Sequence, residues 1–287
     1  MKSGYALRVC AFTSVALMAG VSAATAGGFY GSTKDIPSYP NWSGLYVGVH
    51  GGYGWTDIGS AYNFGTFNDV LIDDVGLADG FKTGVDGYVV GGHIGLQRQI
   101  GKLVIGIEGT ASATDMDGSS RAQWGFDDIS CGFGCFGLAG EGTQSLRVSM
   151  DNLLTVTGRL GYAYDKLLLY VKGGYASADI DVASSISGDV TGCFFGCITF
   201  PVSAAGNSEK GHDGWTLGGG IETMIRPNLT IGIEYGYIDL GARTHSIAAP
   251  LEIGSLVDLP AGHKVRIDPD EIHTVTLRVN FLLEKWQ

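Results

Sequence analysis

The sequence predicts an all-β fold: a closed eight-stranded antiparallel up-and-down transmembrane β-barrel with short periplasmic turns and four long extracellular loops. Three observations lead there. Apolar residues recur with period two in eight separate segments. The connections between those segments alternate short and long. The chain opens on an export signal, and after it no apolar run is long enough for a spanning helix.

The export signal comes first. Lys2 and Arg8 form a short basic region, and a mainly apolar run follows from Val9 to Val21. Ser22-Ala23-Ala24-Thr25-Ala26-Gly27 then supplies an A-x-A cleavage site, so a cut after Ala26 is expected. The apolar core falls short of the ~20 residues that a spanning helix needs. Cys10 lies inside the signal and lacks the small-residue run before it that lipoprotein processing requires. Residues 1–26 are therefore read as signal peptide, 27–41 (with Pro37 and Pro40) as a flexible periplasmic lead-in, and 42–287 as the barrel. Removing Lys2 and Arg8 takes the formal charge from −11 to −13. A surface of that sign repels phosphate, which argues against nucleic acid as a partner.

The eight segments read as follows. Between Trp42 and Trp55, Leu45, Val47, Val49 and Tyr53 share one face, with Tyr46, Gly48, His50 and Gly52 on the other. Tyr88, Val90, Ile94 and Leu96 oppose Gly91, His93, Gly95 and Gln97. Leu103, Ile105 and Ile107 oppose Gly106, Glu108 and Thr110. Leu154, Val156, Leu160 and Tyr162 oppose Thr155, Thr157, Arg159 and Gly161. Leu167, Leu169, Val171 and Tyr175 oppose Tyr170, Lys172, Gly174 and Ala176. Trp215, Leu217, Ile221 and Ile225 oppose Thr216, Gly218, Gly220 and Glu222. Leu229, Ile231, Ile233, Tyr235 and Tyr237 oppose Thr230, Gly232, Glu234 and Gly236. Val275, Leu277, Val279 and Phe281 oppose Thr274, Thr276, Arg278 and Asn280. Each segment matches or exceeds the ~9–11 residues of a tilted strand crossing the hydrocarbon.

The short connections are Gln99–Lys102, Asp165-Lys166 and Arg226–Asn228, hairpin turns built from Gly, Asp, Pro and Asn. The long ones run roughly Thr56–Gly87, Ala113–Leu153, Ala178–Gly214 and Ile238–Ile272, rich in Gly, Ser and Asp, and are expected to be mobile. A soluble sandwich has no reason to alternate loop length this way, whereas an outer-membrane barrel does. Trp42, Trp55, Tyr88, Tyr162, Tyr164, Trp215, Tyr235, Tyr237 and Phe281 sit near segment ends, where aromatic rings favour the headgroup zone.

The stretch from Trp42 to Trp55, WSGLYVGVHGGYGW, resembles the first strand of the small outer-membrane β-barrel proteins of alpha-proteobacteria, the porin-family group that includes major surface antigens and haemin-binding proteins. Val156–Ala163, Leu169–Ala176, Ile233–Tyr237 and His273–Phe281 resemble later strands of that family. The resemblance implies an outer-membrane location, contact with lipid and lipopolysaccharide, and recognition of the last strand by the assembly machinery. Family members often end on an aromatic residue of that strand. Here Leu282–Gln287 follows Phe281, so the strand is longer or the signal is shifted.

Six charged residues fall on the inward face: Glu108, Arg159, Lys172, Glu222, Glu234 and Arg278. Three are acids and three are bases. A charge in a narrow lumen needs a partner, and strand adjacency suggests the pairs Glu108–Arg159, Lys172–Glu222 and Glu234–Arg278. An eight-stranded barrel is just wide enough for its own side chains to fill it. A salt-bridge network that plugs the lumen is expected, with a selectivity filter as the rival reading.

Cys131, Cys135, Cys193 and Cys197 form two C-x₃-C pairs in the second and third long loops. An oxidising compartment favours disulfides over the rival zinc reading. Cys131–Cys135 and Cys193–Cys197 are the simplest pairs, with two inter-loop pairings also open. Phe133, Phe136, Phe194 and Phe195 beside them suggest an apolar knob at the loop ends. His245 and His263 share a long loop with Leu251, Ile253 and Leu256 and are the candidate haem ligands.

No catalytic constellation stands out. His245-Ser246 is a neighbour pair with no carboxylate placed to orient the imidazole, and glycines are too frequent for a G-x-G match to carry meaning. No enzyme activity, cofactor or metal site is expected, and nothing in the pattern sets an oligomeric state. The expected role is structural and surface-interacting. The alternatives are a small solute channel and haemin or host-surface binding through the long loops.

Overall fold

A computed structural model of the protein describes residues 40–65, 70–131, 135–194, 196–253, 257–259 and 262–284. The expected signal peptide and all but the end of the lead-in lie outside the described residues. Among the described residues twelve strands follow one another: β1 (Gly44–Asn63), β2 (Gly80–Ile100), β3 (Leu103–Cys131), β4 (Cys135–Tyr164), β5 (Leu167–Phe194), β6 (Cys197–Arg226), β7 (Leu229–Leu240), β8 (Arg243–Ala248), β9 (Leu251–Ile253), β10 (Val257–Leu259), β11 (Gly262–Pro269) and β12 (Ile272–Glu284). A π-helical turn, Val70–Asp74, lies between β1 and β2.

Eight of these strands close a ring. Antiparallel ladders join β1 through β7 in sequence, β7 to β12, and β12 back to β1, with Val49 opposite Val279 and Tyr53 opposite Val275 at the closing seam. Closure satisfies every strand edge at membrane depth, where no water is present to do so. The short connections are tight turns. Gly101 and Asp165 adopt φ of +64° and +51°. Such left-handed residues match hairpin twist, and Gly and Asp tolerate them best.

The long connections differ from the sequence expectation. They are mostly strand, not loop: β3 and β4 run on to Cys131 and from Cys135, and β5 and β6 run on to Phe194 and from Cys197. The fourth connection contains β8 to β11, and β11 pairs with the upper part of β1. At ~3.3 Å per residue, the 28 residues of β5 extend about 90 Å along the strand. Its membrane band, Leu167 to Tyr175, uses only about a third of that.

The reason is a reversal of polarity at constant phase. In β5 the outward residues Leu167, Leu169, Val171 and Tyr175 are exposed and apolar, while the inward Tyr170 and Lys172 are buried and polar. Above Tyr175 the same alternation continues with its chemistry exchanged: Ala176, Ala178, Ile180 and Val182 are buried, and Ser177, Asp179 and Asp181 face outward. In β4 a bulge between Met150 and Asn152 resets the phase, so that Leu146, Val148, Met150 and then Leu153 all point inward. Together with Ile58, Val85, Met116, Ile238, Val265, Ile267 and Ile272 they form an apolar core inside the upper half of the barrel. The chain is thus a membrane barrel below and a water-soluble barrel above.

Aromatic residues mark the boundary. Tyr53 meets Tyr88 edge-on at 5.6 Å, Trp55 stacks on His273 at 5.6 Å, and Trp215 lies 5.3 Å from Tyr237. At the turn end, Lys102 sits 5.8 and 5.9 Å over the rings of Tyr162 and Tyr164. Trp42 is a correction: it is fully buried, packed with Val104, Ala163, Leu168, Tyr170 and Met224 across the floor of the lumen. β12 continues past Phe281 to Glu284, so the last strand is longer than its final aromatic suggested.

Truncating this upper core carries a defined cost. Leu146→Ala should destabilise the folded barrel by about 2–5 kcal/mol, the range for large-to-small changes in a packed core. Asp179→Ala on the outer wall should stay within about 0.5 kcal/mol. Urea unfolding in lipid vesicles checks both, and equal midpoints for the two variants would contradict a packed upper core.

Candidate functional site

The lumen is the most constrained part of the molecule. Strand alternation aims Glu108 (β3), Arg159 (β4), Lys172 (β5), Glu222 (β6), Glu234 (β7) and Arg278 (β12) inward, and all six are buried. Four of them form a closed square of alternating charge. Lys172 Nζ lies 2.9 Å from Glu108 Oε1 and 2.7 Å from Glu234 Oε1. Arg278 Nη2 lies 2.5 Å from Glu108 Oε2, and Arg278 Nη1 pairs with Glu234 Oε2. Arg159 and Glu222 make a separate pair at 2.6 Å.

Two pairings differ from those that strand adjacency suggests: Arg159 takes Glu222 rather than Glu108, and Lys172 takes Glu108 and Glu234 rather than Glu222. The register explains it. Arg159 sits directly opposite Lys172, so two like charges are neighbours and must turn apart. Glu222 sits opposite Leu168, four residues below Lys172, within reach of Arg159 across the lumen.

Neutral residues that carry no charge signature in the sequence complete the network. Tyr46 donates to Glu108 at 2.7 Å, and Tyr170 donates to Glu234 at 2.7 Å. Arg159 Nη1 reaches Tyr46 Oη and Gln97 Oε1, each at 3.3 Å. Its guanidinium lies 3.6 Å from the centre of the Tyr170 ring, a desolvated cation–π contact. Glycines make room for these rings. A Cβ on Gly95 would meet Tyr46 Cζ at 2.3 Å, and one on Gly220 would meet Tyr170 Oη at 2.6 Å. The signal for both tyrosines was their inward phase opposite glycine, which period-two reading assigns only to small lumen residues.

Above the network, His50 and His93 approach at 3.3 Å through their Nδ1 atoms. Next to them a cavity of about 50 Å³ is lined by His50, Ser112, Thr155, Thr216 and Thr276 among others. That volume holds a few waters and no solute. Higher still lies the apolar core. From floor to top the lumen therefore passes through Trp42, the charge network, a small polar cavity and a packed hydrophobic layer.

The remaining candidates lie in the upper half. Cys193 and Cys197 form a disulfide across the β5–β6 tip. Cys131 and Cys135 are register partners across the β3–β4 tip, and their side chains lie outside the described residues. Phe133 and Phe195 and the side chain of Phe136 also lie outside them, while Phe194 is exposed. His245 and His263 do not present an open haem site. His245 Nδ1 meets the Ser208 carbonyl at 3.0 Å, and its Nε2 faces His212 Nε2 at 3.2 Å. His263 Nε2 lies 3.1 Å from Ser184 Oγ, with its ring stacked on Tyr62. Burial pushes both imidazoles below their ordinary pKa. The expected haem ligands are inward packing residues because β8 and β11 belong to the barrel wall. Among the described residues no cluster of three or more His, Cys, Asp or Glu side chains is arranged to hold a metal.

A ring of strands with an apolar belt, two aromatic girdles and a polar lumen defines an outer-membrane β-barrel protein. Sequence comparison agrees. The model of the outer membrane protein beta-barrel domain family matches residues 12–251, and the chain belongs to that family. The 31 kDa outer-membrane immunogenic protein of Brucella melitensis is 31% identical over 205 residues, 71% of this chain and 73% of that protein. The 22 kDa outer membrane protein of Rhizobium leguminosarum bv. viciae is 25% identical over 216 residues, 75% of this chain and 72% of that protein. The crystal structure of the outer membrane protein OprG from Pseudomonas aeruginosa aligns with a TM-score of 0.40 at 11% identity, over 84% of this chain and 97% of that one.

Breaking one pair should be worse than removing it. Glu222→Gln leaves Arg159 buried without its counter-charge and should cost about 3–5 kcal/mol. The double change Arg159→Met, Glu222→Leu should recover most of that loss. Urea midpoints of the three proteins in vesicles check this, and a double variant no better than the single one would show that the pair contributes something other than charge compensation.

Proposed function

We propose that this protein is a non-conducting outer-membrane barrel with a structural and surface-interaction role, its lumen plugged by the Glu108–Arg159–Lys172–Glu222–Glu234–Arg278 network. One observation carries the reading: all six charges are buried and joined by ion pairs, with a packed apolar layer in series above them. A hydrated selectivity filter needs its charges open to passing ions, and here their valences are used on one another. The proposal assigns the chain no catalytic step and no cofactor.

The outward surfaces supply the partners. Lipid and lipopolysaccharide meet the band of exposed Leu, Ile, Val and aromatic residues, for example Leu169, Val171, Ile233 and Leu277. The assembly machinery would read β12, whose outward face ends on Val279, Phe281 and Leu283. Above the membrane, polar outer walls and the Cys193–Cys197 hairpin tip form the surface open to other molecules. Relatives named as immunogenic outer-membrane proteins fit a chain displayed in this way.

Planar bilayers test the plug. Purified protein should add little or no steady conductance, and Lys172→Ala should raise only flicker because the upper core still closes the path. Large, stable unitary conductance from the natural protein would reject the plug and restore the channel reading.

A further inference from the structure

Exposed cations stand at both ends of the barrel, and they differ in their partners. Three on the upper wall carry their own counter-charges: Lys82 lies 3.2 Å from Asp57, Arg147 3.0 Å from Asp117 and Arg243 2.9 Å from Asp213. At the short-turn end Arg98, Lys102, Lys166 and Arg226 are exposed, and among the described residues none of them makes an ion pair with a carboxylate. Arg98 is the most demanding of the four. It lies on the outward face of β2, in phase with Ile94, Leu96 and Ile100, so its stem faces hydrocarbon. A cation there is tolerated when its head reaches the interface and meets an anion. No described side chain supplies that anion, so the membrane must.

Arg98 also stands at one end of a groove of about 680 Å³ on the outer wall between β2 and β6. Gly158 and Gly173, which are register partners, form its floor, and Ile107, Leu160, Val171 and Leu217 flank them. Strand tilt makes the groove climb from the rim towards mid-membrane. Arg98 lies three residues from the turn glycine Gly101, whereas Leu217 lies nine residues from Arg226 at the end of β6. A second cation stands at the foot, where Lys102 leans over the rings of Tyr162 and Tyr164 at 5.8 and 5.9 Å. The floor is open space: a Cβ on Gly158 would meet nothing nearer than the Gly173 carbonyl at 3.9 Å.

We propose that this groove binds one anionic phospholipid of the inner leaflet, with an acyl chain laid over Gly158 and Gly173 and the headgroup phosphate between Arg98 and Lys102. Charge complementarity selects the occupant. A zwitterionic headgroup would bring its own ammonium to a place that already holds two cations, whereas an anionic one brings only negative charge. A second copy of the chain would bring the same two cations into the contact. The lipopolysaccharide leaflet lies at the other end of the strands, at the level of Tyr53, Tyr88 and Trp215. The inference rests on the outer-membrane location and is independent of the lumen plug.

The test is native mass spectrometry of the full-length protein in detergent, incubated with equal amounts of phosphatidylglycerol and phosphatidylcholine carrying the same acyl chains. One phosphatidylglycerol per chain should be retained in preference to phosphatidylcholine. A cation near an anionic lipid surface contributes about fivefold, so Arg98→Gln and Lys102→Gln should each lower the preference by about that factor, and the double variant should remove most of it. Gly158→Leu fills the floor and should reduce retention of both lipids, while Arg147→Gln on the upper wall should change neither. Heat-dependent gel mobility reports whether each variant is folded, and should Gly158→Leu not fold, the Arg98 and Lys102 variants decide. Equal retention of the two lipids by the natural protein, a preference that survives the double variant, or retention that a folded Gly158→Leu protein leaves intact would overturn the proposal. A dimer that Gly158→Leu abolishes would also overturn it, by assigning the groove to a second copy of the chain.

Discussion

A strand that crosses a membrane and continues into water must exchange the chemistry of its two faces without changing direction. Below the boundary its outer face meets hydrocarbon and its inner face can be polar. Above it, the outer face meets water and the inner face must find something apolar to bury against. β5 does this with an unbroken phase: Val171 and Tyr175 outward below, Asp179 and Asp181 outward above, and Lys172 inward below Ile180 and Val182. β4 does it with a bulge beside Asp151. The aromatic girdle of Tyr53, Trp55, Tyr88, Tyr175 and Trp215 sits at the level of that exchange, where amphipathic rings are most at home.

The same constraint governs the lumen. At membrane depth the inner face is polar, narrow and nearly dry, so ionised groups there are tolerated only in company. The square of Glu108, Lys172, Glu234 and Arg278 meets that demand with each charge touching two of opposite sign. Arg159 meets it with one carboxylate and the face of Tyr170. Such an arrangement adds little net stability compared with an apolar filling. It does fix where each strand must stand, because a shift of one residue would turn a charge into lipid.

Much of this was legible in the sequence, because period two at membrane depth is a strong signal. All eight ring strands, the three short turns and the six inward charges follow from the alternation in segments such as Leu167–Tyr175. Three things were not legible. An outward apolar stripe is what marks a membrane strand in a sequence, and above Tyr175 the apolar stripe moves to the inner face, so the upper strands carry the outward composition of loops. Strand adjacency alone does not register that Arg159 and Lys172 stand side by side, and so assigns the wrong charge partners. The position of Trp42 at a strand end fits an interfacial aromatic and does not reveal that it folds under the barrel as a floor. In each case the missing information was long-range: which face is inside depends on closure of the ring.

The most direct test is a single-cysteine scan of β5 from Ser177 to Ser185, with a membrane-impermeant maleimide applied to intact cells. Labelling should alternate, strong at 177, 179, 181, 183 and 185 and weak at 178, 180, 182 and 184. Uniform labelling along the segment would mean that it is an exposed loop, and would contradict a packed, closed barrel above the membrane.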